Sequence, residues 1–304
     1  SIADRRKRRV ILGFWISEQK TPSSALFIFR SRLDNMRKGG TTEMDIVSII
    51  GIILGLITLV GGMILKGASP IALLNPAALV IIFVGTAAAI MISFPKERLK
   101  IIPALFKVIF FEQQLMTKQT LLQQFLTLST QARKEGLLSL ETALEEVDNA
   151  FMRRGVMMVI DGQPSEYVED VMTRDLENMT ERHHANANIF TQAGTYAPTL
   201  GVLGAVVGLV AALSDLSDIE KLGHAISGAF IATLFGIFTG YVLWFPFATK
   251  LKQKSATEIQ LYEMMIEGIL SIQNGESPKN LEDKLLVYLT PKERATYETE
   301  KEAA

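Results

Sequence analysis

Four long stretches without a charged side chain constrain this 304-residue chain more than any other feature of its sequence. An α-helix needs about 20 mostly apolar residues to cross the hydrocarbon layer of a membrane. Uncharged helices of that length are uncommon inside soluble proteins, so the pattern predicts an integral membrane protein with four transmembrane helices. The predicted spans cover residues 46–65, 76–94, 193–213 and 225–247.

Basic residues flank the spans unevenly, and this asymmetry predicts their orientation. The short links after the first and third spans carry one lysine each, Lys66 and Lys221. Several basic residues follow the second and fourth spans instead: Lys96, Arg98, Lys100, Lys107, Lys250, Lys252 and Lys254. Because cytoplasmic flanks carry the excess of lysine and arginine, both termini and the segment between the second and third spans are predicted to be cytoplasmic.

Between the spans, apolar residues recur at helical spacing and no segment shows the alternation of a β-strand. The predicted fold class is therefore all-α, with four transmembrane helices and a helical cytoplasmic domain between the second and third. The predicted parts are a first transmembrane hairpin (44–95), a cytoplasmic helical domain (96–190), a second transmembrane hairpin (191–248) and a cytoplasmic helical tail (249–304).

The first 43 residues differ from the rest in having a basic cluster and only a short apolar run. Met44 opens the sequence that leads into the first span, and the codons of residues 37–40 (RKGG) can spell a purine-rich ribosome-binding tract. Our hypothesis is that translation naturally starts at Met44 and that residues 1–43 are a disordered or non-native leader. The alternative is a basic amphiphilic tail on the membrane surface.

Local patterns in the cytoplasmic parts predict further helices. The amphipathic, aromatic segment 98–112 either lies along the inner membrane surface or packs as an ordinary helix on the cytoplasmic domain. Ser139, followed by Glu141 and Thr142, predicts one helix start. Residues 290–293 (TPKE) have the cap, first-turn proline and reaching glutamate of another.

Composition excludes several classes of function. A net charge of -1 gives no indication of nucleic-acid binding. The chain has no cysteine, and its three histidines, His183, His184 and His224, match no common metal-ligand spacing. No nucleophile elbow, phosphate loop or zinc-protease motif occurs. We therefore expect neither a metal nor a cofactor, and no enzymatic activity.

The third and fourth spans combine small residues with hydroxyl groups. Stripes of glycine and alanine are typical of close helix packing in membranes, and packing within one chain explains most of these positions. Hydroxyls in an apolar zone can solvate a moving ion without the cost of a buried charge. Thr195, Thr199 and Thr233 are therefore candidates for lining an ion path.

An ionisable carrier, which a proton or sodium path normally requires, is missing from all four spans. Either the chain does not conduct, or another chain supplies the carboxylate. Pro198 and Pro246 lie near the inner ends of the third and fourth spans, and antiparallel counting predicts similar depths for them. Each could act as a hinge or expose a carbonyl to an ion, or it could simply mark a helix end.

Three blocks of the sequence closely resemble the MotA family of flagellar motor stator proteins, within the MotA/TolQ/ExbB superfamily. They are residues 133–141 (RKEGLLSLE), 192–214 (QAGTYAPTLGVLGAVVGLVAALS) and 224–253, which begins HAISGAFIATLFGIFTGYVLW. The resemblance extends from about Met44 to the tail and is greatest to the Bacillus-type branch. It implies a multi-pass protein of the bacterial inner membrane.

The resemblance implies a pentameric ring around the single transmembrane helices of two MotB-like partners. The partner would supply the ion-binding aspartate and bind peptidoglycan. Ion flow through the complex would be coupled to rotation of the flagellar rotor.

The resemblance also implies roles for individual residues. Arg133 and Glu141 match the charged pair that binds the rotor protein FliG, although from the residues alone both fit an ordinary solvated surface. Pro198 and Pro246 match the family's two functional prolines. Thr233 matches a threonine near the ion path that tends to be alanine in sodium-using relatives, which favours the proton as coupling ion and leaves sodium possible.

Two other functions compete with this interpretation. An ExbB- or TolQ-like energiser of another envelope process would have three spans, with its large cytoplasmic segment after the first. Here two spans precede that segment, which favours the stator. A stand-alone transporter would need its own intramembrane ionisable residue or inverted repeats, and the sequence shows neither.

Overall fold

The computed structural model describes residues 44–303, except residues 114, 145–146 and 215–217. Residues 1–43, with the hypothesis about their origin, lie outside the described residues. The described part is built from helices and contains no β-strand beyond an isolated bridge between Met44 and Phe111. The predicted all-α fold class is confirmed.

Thirteen α-helices follow one another in the described residues. We number them α1 (Ile46–Leu65), α2 (Pro76–Leu79), α3 (Gly85–Ser93), α4 (Lys96–Leu99), α5 (Ile102–Phe110), α6 (Lys118–Glu135), α7 (Leu140–Ala143), α8 (Ala150–Ile160), α9 (Ser165–Leu213), α10 (Ile219–Phe238), α11 (Phe245–Gln273), α12 (Pro278–Leu286) and α13 (Pro291–Ala303).

Four of the helical segments are long and apolar enough to cross a membrane, as predicted. The first is α1, with the bounds expected from the sequence. The second runs over Pro76–Ser93 and includes a π-helical turn at Val80–Val84 between α2 and α3. The third is the outer part of the 49-residue helix α9. The fourth is α10 with a second π-helical turn, Thr239–Trp244, which leads into α11.

The third and fourth spans continue into the cytoplasmic part without a loop. Neither glycine nor proline occurs between Ser165 and Ala193 or between Phe247 and Glu267, so nothing interrupts helical hydrogen bonding there. As a result α9 and α11 are at once transmembrane helices and the main supports of the cytoplasmic part.

The cytoplasmic core forms where α6, α8, α11 and α12 bury apolar side chains together. Phe125 of α6 is fully buried, and Gly268 of α11 lets the two helices meet. A Cβ atom added to Gly268 would lie 2.7 Å from the Phe125 ring. Around this contact lie the fully buried Met264, Leu281 and Leu285.

An aromatic cluster at the inner end of the spans contains the amphipathic segment 98–112. Leu105 and Ile109 of α5 are buried in this cluster with Phe190 of α9 and Phe247 of α11. The Phe106 ring meets the Phe190 ring edge-on, with 5.2 Å between centroids. The apolar face of α5 therefore packs against the inner ends of the spans and not against the cytoplasmic core.

Both predicted helix starts are confirmed. The Thr290 N–H donates to the Glu293 carboxylate at 2.7 Å, and the Glu293 N–H donates back to the Thr290 hydroxyl at 3.4 Å, as a capping box requires. Ser139 is the N-cap residue of α7, which has Glu141 in its first turn, but its hydroxyl donates to the carbonyl of Gly136 at 2.7 Å and makes no cap hydrogen bond. The chain turns at Gly136 with φ 87°, and α7 is only four residues long.

Candidate functional site in the second transmembrane hairpin

The seam between the third and fourth spans is a contact of backbone against backbone. A Cβ atom added to Gly236 would lie 2.6 Å from the carbonyl oxygen of Ala197, and one added to Gly201 would lie 3.0 Å from that of Ala232. Such distances leave no room for a side chain. The small residues of both stripes therefore serve close packing within the chain.

Thr195 and Thr199 lie one turn apart on an exposed face of α9. The Thr199 hydroxyl donates to the carbonyl of Thr195 at 2.9 Å, and the Thr195 hydroxyl donates to that of Thr191 at 3.1 Å. Because a hydroxyl has one hydrogen and two lone pairs, both oxygens keep lone pairs that can accept a hydrogen bond or coordinate a cation. This face can thus solvate an ion if another chain closes it from the lipid.

Thr233 occupies a different place, half-buried in the seam. Its hydroxyl lies 3.3 Å from the carbonyl of Ala229 and 3.5 Å from that of Gly201 on the opposite helix. Gly201 is two residues beyond Thr199, about 200° around the helix at 100° per residue. Thr195 and Thr199 therefore share one face of α9, whereas Thr233 of α10 lies against a different face of that helix.

Pro198 lies inside α9 without breaking it. Since proline has no N–H, the carbonyl of Gly194 loses its usual helical donor. Gly240 faces this point: a Cβ atom added there would lie 2.9 Å from the Gly194 oxygen and 2.9 Å from Cγ of Pro198. Gly240 also belongs to the π-helical turn Thr239–Trp244, so two irregularities of backbone hydrogen bonding meet at one level of the seam.

The predicted similar depth of the two prolines is wrong. Pro198 packs at the level of Gly240, whereas Pro246 lies six residues further along the chain and beyond the π-helical turn. Phe245, beside Pro246, instead contacts Gly194. The prediction counted residues from the inner ends of the third and fourth apolar runs to the two prolines. It failed because these two ends do not lie at the same depth. It also could not reveal the π-helical turn, which hydropathy does not encode.

Arg133 and Glu141 lie on either side of the turn at Gly136. Arg133 is in the last turn of α6 and Glu141 is in α7, and both are exposed. Within the described part of the chain, neither side chain makes an ion pair or a hydrogen bond. The side-chain amide of Gln131 donates to the carbonyl of Ser139 at 2.9 Å and holds the turn in place. The pair is therefore available to a partner.

Sequence reasoning missed an ionic cluster at the inner edge of the membrane. Lys250 of α11 forms an ion pair with Asp45, the N-cap residue of α1, and also donates to the Ser48 hydroxyl. The sequence signal was present, because an aspartate directly before an apolar run is a typical N-cap. Nothing in the sequence showed which lysine would reach it. Among the described residues, no cluster of three metal-binding side chains occurs.

Comparisons with known proteins agree with this architecture. A family profile described as the MotA/TolQ/ExbB proton channel family matches residues 143–264. Motility protein A of Bacillus subtilis is 54% identical over 260 residues, which are 86% of this chain and 96% of that protein. Motility protein A of Helicobacter pylori is 35% identical over 250 residues, 82% of this chain and 97% of that protein.

Two solved structures are similar over nearly their whole length. The flagellar MotAB stator complex from Bacillus subtilis matches with a TM-score of 0.77 and 55% identity, covering 82% of this chain and 98% of that chain. The structure of MotAB from C. jejuni matches with a TM-score of 0.77 and 31% identity, covering 82% and 97%. The predicted resemblance is confirmed: this chain belongs to the MotA/TolQ/ExbB proton channel family, and within it to the motility protein A group.

Proposed function

We propose that the chain is the ion-conducting, torque-generating subunit of a flagellar motor stator in the bacterial inner membrane. It works as a channel subunit rather than as an enzyme. The observation that carries the proposal is its 55% identity to a chain of the Bacillus subtilis MotAB stator complex, over 98% of that chain. In this role the chain couples ion flow across the cell membrane to rotation of the flagellum.

A MotB-like partner with a single span completes the ion path. None of the four spans contains an aspartate, glutamate, lysine or arginine, yet an ion path through hydrocarbon needs an ionisable carrier. The exposed face with Thr195 and Thr199 can receive a helix that brings an aspartate. Copies of the chain, five in our proposal, form the ring around this partner, which binds peptidoglycan.

The proton is the coupling ion that we propose. Threonine hydroxyls that donate to backbone carbonyls, as at Thr195 and Thr199, leave lone pairs that accept hydrogen bonds from water or hydronium. Thr233, close to the carbonyl of Gly201, gives the seam one more hydroxyl. Pro198 and Pro246 let the helices adjust as the partner's carboxylate gains and loses its proton. Sodium remains the alternative ion.

The rotor is contacted at the turn around Gly136, where Arg133 and Glu141 are exposed. We propose that this pair binds oppositely charged residues of the rotor protein FliG. Helix α11 connects the turn with the ion path, because its contact at Gly268 holds α6, the helix that carries Arg133. An ExbB- or TolQ-like energiser is the second candidate, and the span count opposes it, since two spans precede the cytoplasmic domain.

The test is rescue of motility. The full chain is expressed with a peptidoglycan-binding, single-span partner in a bacterium that lacks stators, and swimming is followed with and without sodium. Swimming that persists without sodium is expected. Swimming that requires sodium would keep the stator and overturn the proton. Failure to swim, with both proteins in the membrane, would favour the energiser.

Charge reversal tests the rotor contact in the same cells. Arg133→Glu or Glu141→Lys should abolish swimming while ring assembly and partner binding persist. Lys292→Glu is the control, because Lys292 is also exposed but lies in α13, away from the turn. Loss of the ring in the Arg133 or Glu141 variants would show instead that these residues serve folding.

A further inference from the structure

A compact ionic joint links three segments at the inner edge of the membrane. We define the membrane-edge joint as the side chains of Asp45, Ser48, Lys250 and Lys254 together with the last turn of α5. Lys250 forms the ion pair with Asp45, and Lys254 lies 4.0 Å from the same carboxylate oxygen. The side chains of both lysines and of Asp45 are mostly buried, with 14–23% of their surface exposed.

Backbone groups complete the joint. Lys254 donates to the carbonyls of Val108 and Phe111 at 2.6 and 2.7 Å. The N–H of Asp45 donates to the carbonyl of Phe110 at 2.8 Å. The Asp45 carboxylate accepts from the Ser48 N–H at 3.1 Å and so caps α1. The start of α1, the end of α5 and the first turns of α11 are thereby tied together by charge-assisted hydrogen bonds.

The joint is important because α1 has few other attachments to the chain. None of the twenty described residues of α1 is buried. Near its middle, Gly55 lies against Val242 of the π-helical turn. In a membrane such a contact contributes packing but no hydrophobic gain, because lipid tails are as apolar as leucine. The partly buried ion pair adds a charge-assisted restraint on the inner end of α1.

The joint also occupies a particular place along α11. On one side of it, α11 is continuous with the π-helical turn that faces Pro198. On the other side, α11 enters the cytoplasmic core, where Gly268 packs against Phe125 of α6. A force that travels from the seam along α11 towards the turn at Gly136 therefore passes the joint.

We propose that Asp45, Lys250 and Lys254 are positioning residues for torque generation. They fix α11 against α1 and α5, so that movement at the seam is delivered to the rotor-facing turn and not lost as rocking of α11. This inference rests on the proposed stator function and adds residues that touch neither the ion nor the rotor.

The test removes charge and keeps shape. Asp45→Asn retains an N-cap, because asparagine caps helices as well as aspartate does, and Lys250→Met retains the aliphatic stem. Lys252→Met is the matched control, since Lys252 lies between the two lysines on α11 but is exposed. Each full-length variant is expressed with the partner, and four quantities are measured: membrane abundance, ring assembly, ion uptake into the cells, and motor torque under high and low load.

Asp45→Asn and Lys250→Met should each lower torque at high load about twofold or more, because each removes the ion pair that ties α11 to the start of α1. Ion uptake, abundance and ring assembly should equal those of the wild type, and Lys252→Met should be unchanged throughout. The double variant should lose no more torque than the worse single variant, because the two residues act as one unit.

Three results would overturn the inference. Wild-type torque in both single variants would show that the joint carries no force. Torque losses that add in the double variant would show that the residues act separately. Loss of abundance or of the ring would show a purely structural role. In each case, swimming of cells with the wild-type chain keeps the stator function, so the two proposals fail separately.

Discussion

The first span and the second transmembrane hairpin are both strongly apolar, but they pack in opposite ways. The first span has no buried residue among those described, and side chains such as Val47 and Leu65 are 80% and 89% exposed. In the second hairpin, Ala197 is fully buried and Gly201 and Gly236 bring the two backbones into contact. In a membrane, apolar character decides whether a helix inserts, whereas side-chain size decides whether it packs.

This difference separates a helix that packs little within its own chain from a pair of helices in close backbone contact. The second hairpin is a closely packed pair, and one exposed face of α9 carries hydroxyls, as the proposed ion path requires. The first span buries none of its own residues and is held at its inner end by the membrane-edge joint. Three experiments test this contrast.

The largest effect is expected from a side chain placed in the seam. Gly236→Leu would drive atoms against the backbone oxygen of Ala197 and should destabilise the fold by about 3 kcal/mol, the upper end of the usual range for overpacking. Gly61→Leu in the first span is the control, because no atom lies within 4 Å of the position of an added Cβ. The thermal stability and membrane abundance of both variants are compared.

Gly61→Leu should behave as wild type. If it destabilised the assembled ring as much as Gly236→Leu, neighbouring copies would pack the first hairpin as tightly as this chain packs the second. The contrast would then hold for the single chain only.

An intermediate effect is expected from removing a hydroxyl. Thr199→Val preserves shape but removes the lone pairs on the exposed face of α9, and ion uptake should fall about tenfold, because a hydrogen bond to a charged group is worth about 1.5 kcal/mol or more. Thr58→Val is a matched control in α1. Thr58 is also exposed, and its hydroxyl donates to the carbonyl of Leu54 at 2.8 Å, much as Thr199 donates to Thr195.

Equal ion uptake by the Thr199 and Thr58 variants would remove the face of α9 from the ion path. Reduced uptake in the Thr58 variant alone would reverse the contrast and place the path along the first hairpin.

The smallest effect concerns the pH dependence of the joint. Burial would raise the pKa of Asp45, but hydrogen bonds from Lys250 and from the Ser48 N–H outweigh it and hold that pKa below its usual range. The carboxylate therefore contributes stability above its unfolded-state pKa of about 3.9, and the contribution is lost as the pH falls through the lower folded-state pKa.

Thermal unfolding of the purified wild type and of Asp45→Asn measures this contribution. The difference in midpoint between them should stay constant from about pH 8 to pH 5 and should disappear at a pH below the usual aspartate range. A difference that already declined between pH 8 and pH 6 would contradict the assignment to Asp45.

Sequence alone predicted most of the fold, because membrane insertion depends on features that are local in the chain. The bounds of α1 could be read from one uncharged run, and the capping box at Thr290 from four adjacent residues. The blocks around Pro198 and Arg133 identified the family, since their glycines and charges follow a specific order.

What sequence could not predict depends on long-range geometry. Asp45 and Lys250 are 205 positions apart, and their pairing depends on which helix ends meet. The π-helical turns at Val80–Val84 and Thr239–Trp244 arise from changes in hydrogen-bond partners that hydropathy does not report. Ser139 starts α7 as predicted, but its hydroxyl bonds back to the carbonyl of Gly136, a contact that depends on the geometry of the turn.

The unbroken course of α9 has a consequence for how such a chain can vary. A helix of 49 residues is about 74 Å long and turns by 100° at every residue. The number of residues between the membrane and the cytoplasmic core therefore sets the angular phase of one half relative to the other. Substitutions leave that phase unchanged, whereas a single inserted residue would rotate Met172 and the core around it by more than a quarter turn relative to Gly201. Within α9, the number of residues is therefore as strictly constrained as their chemical type.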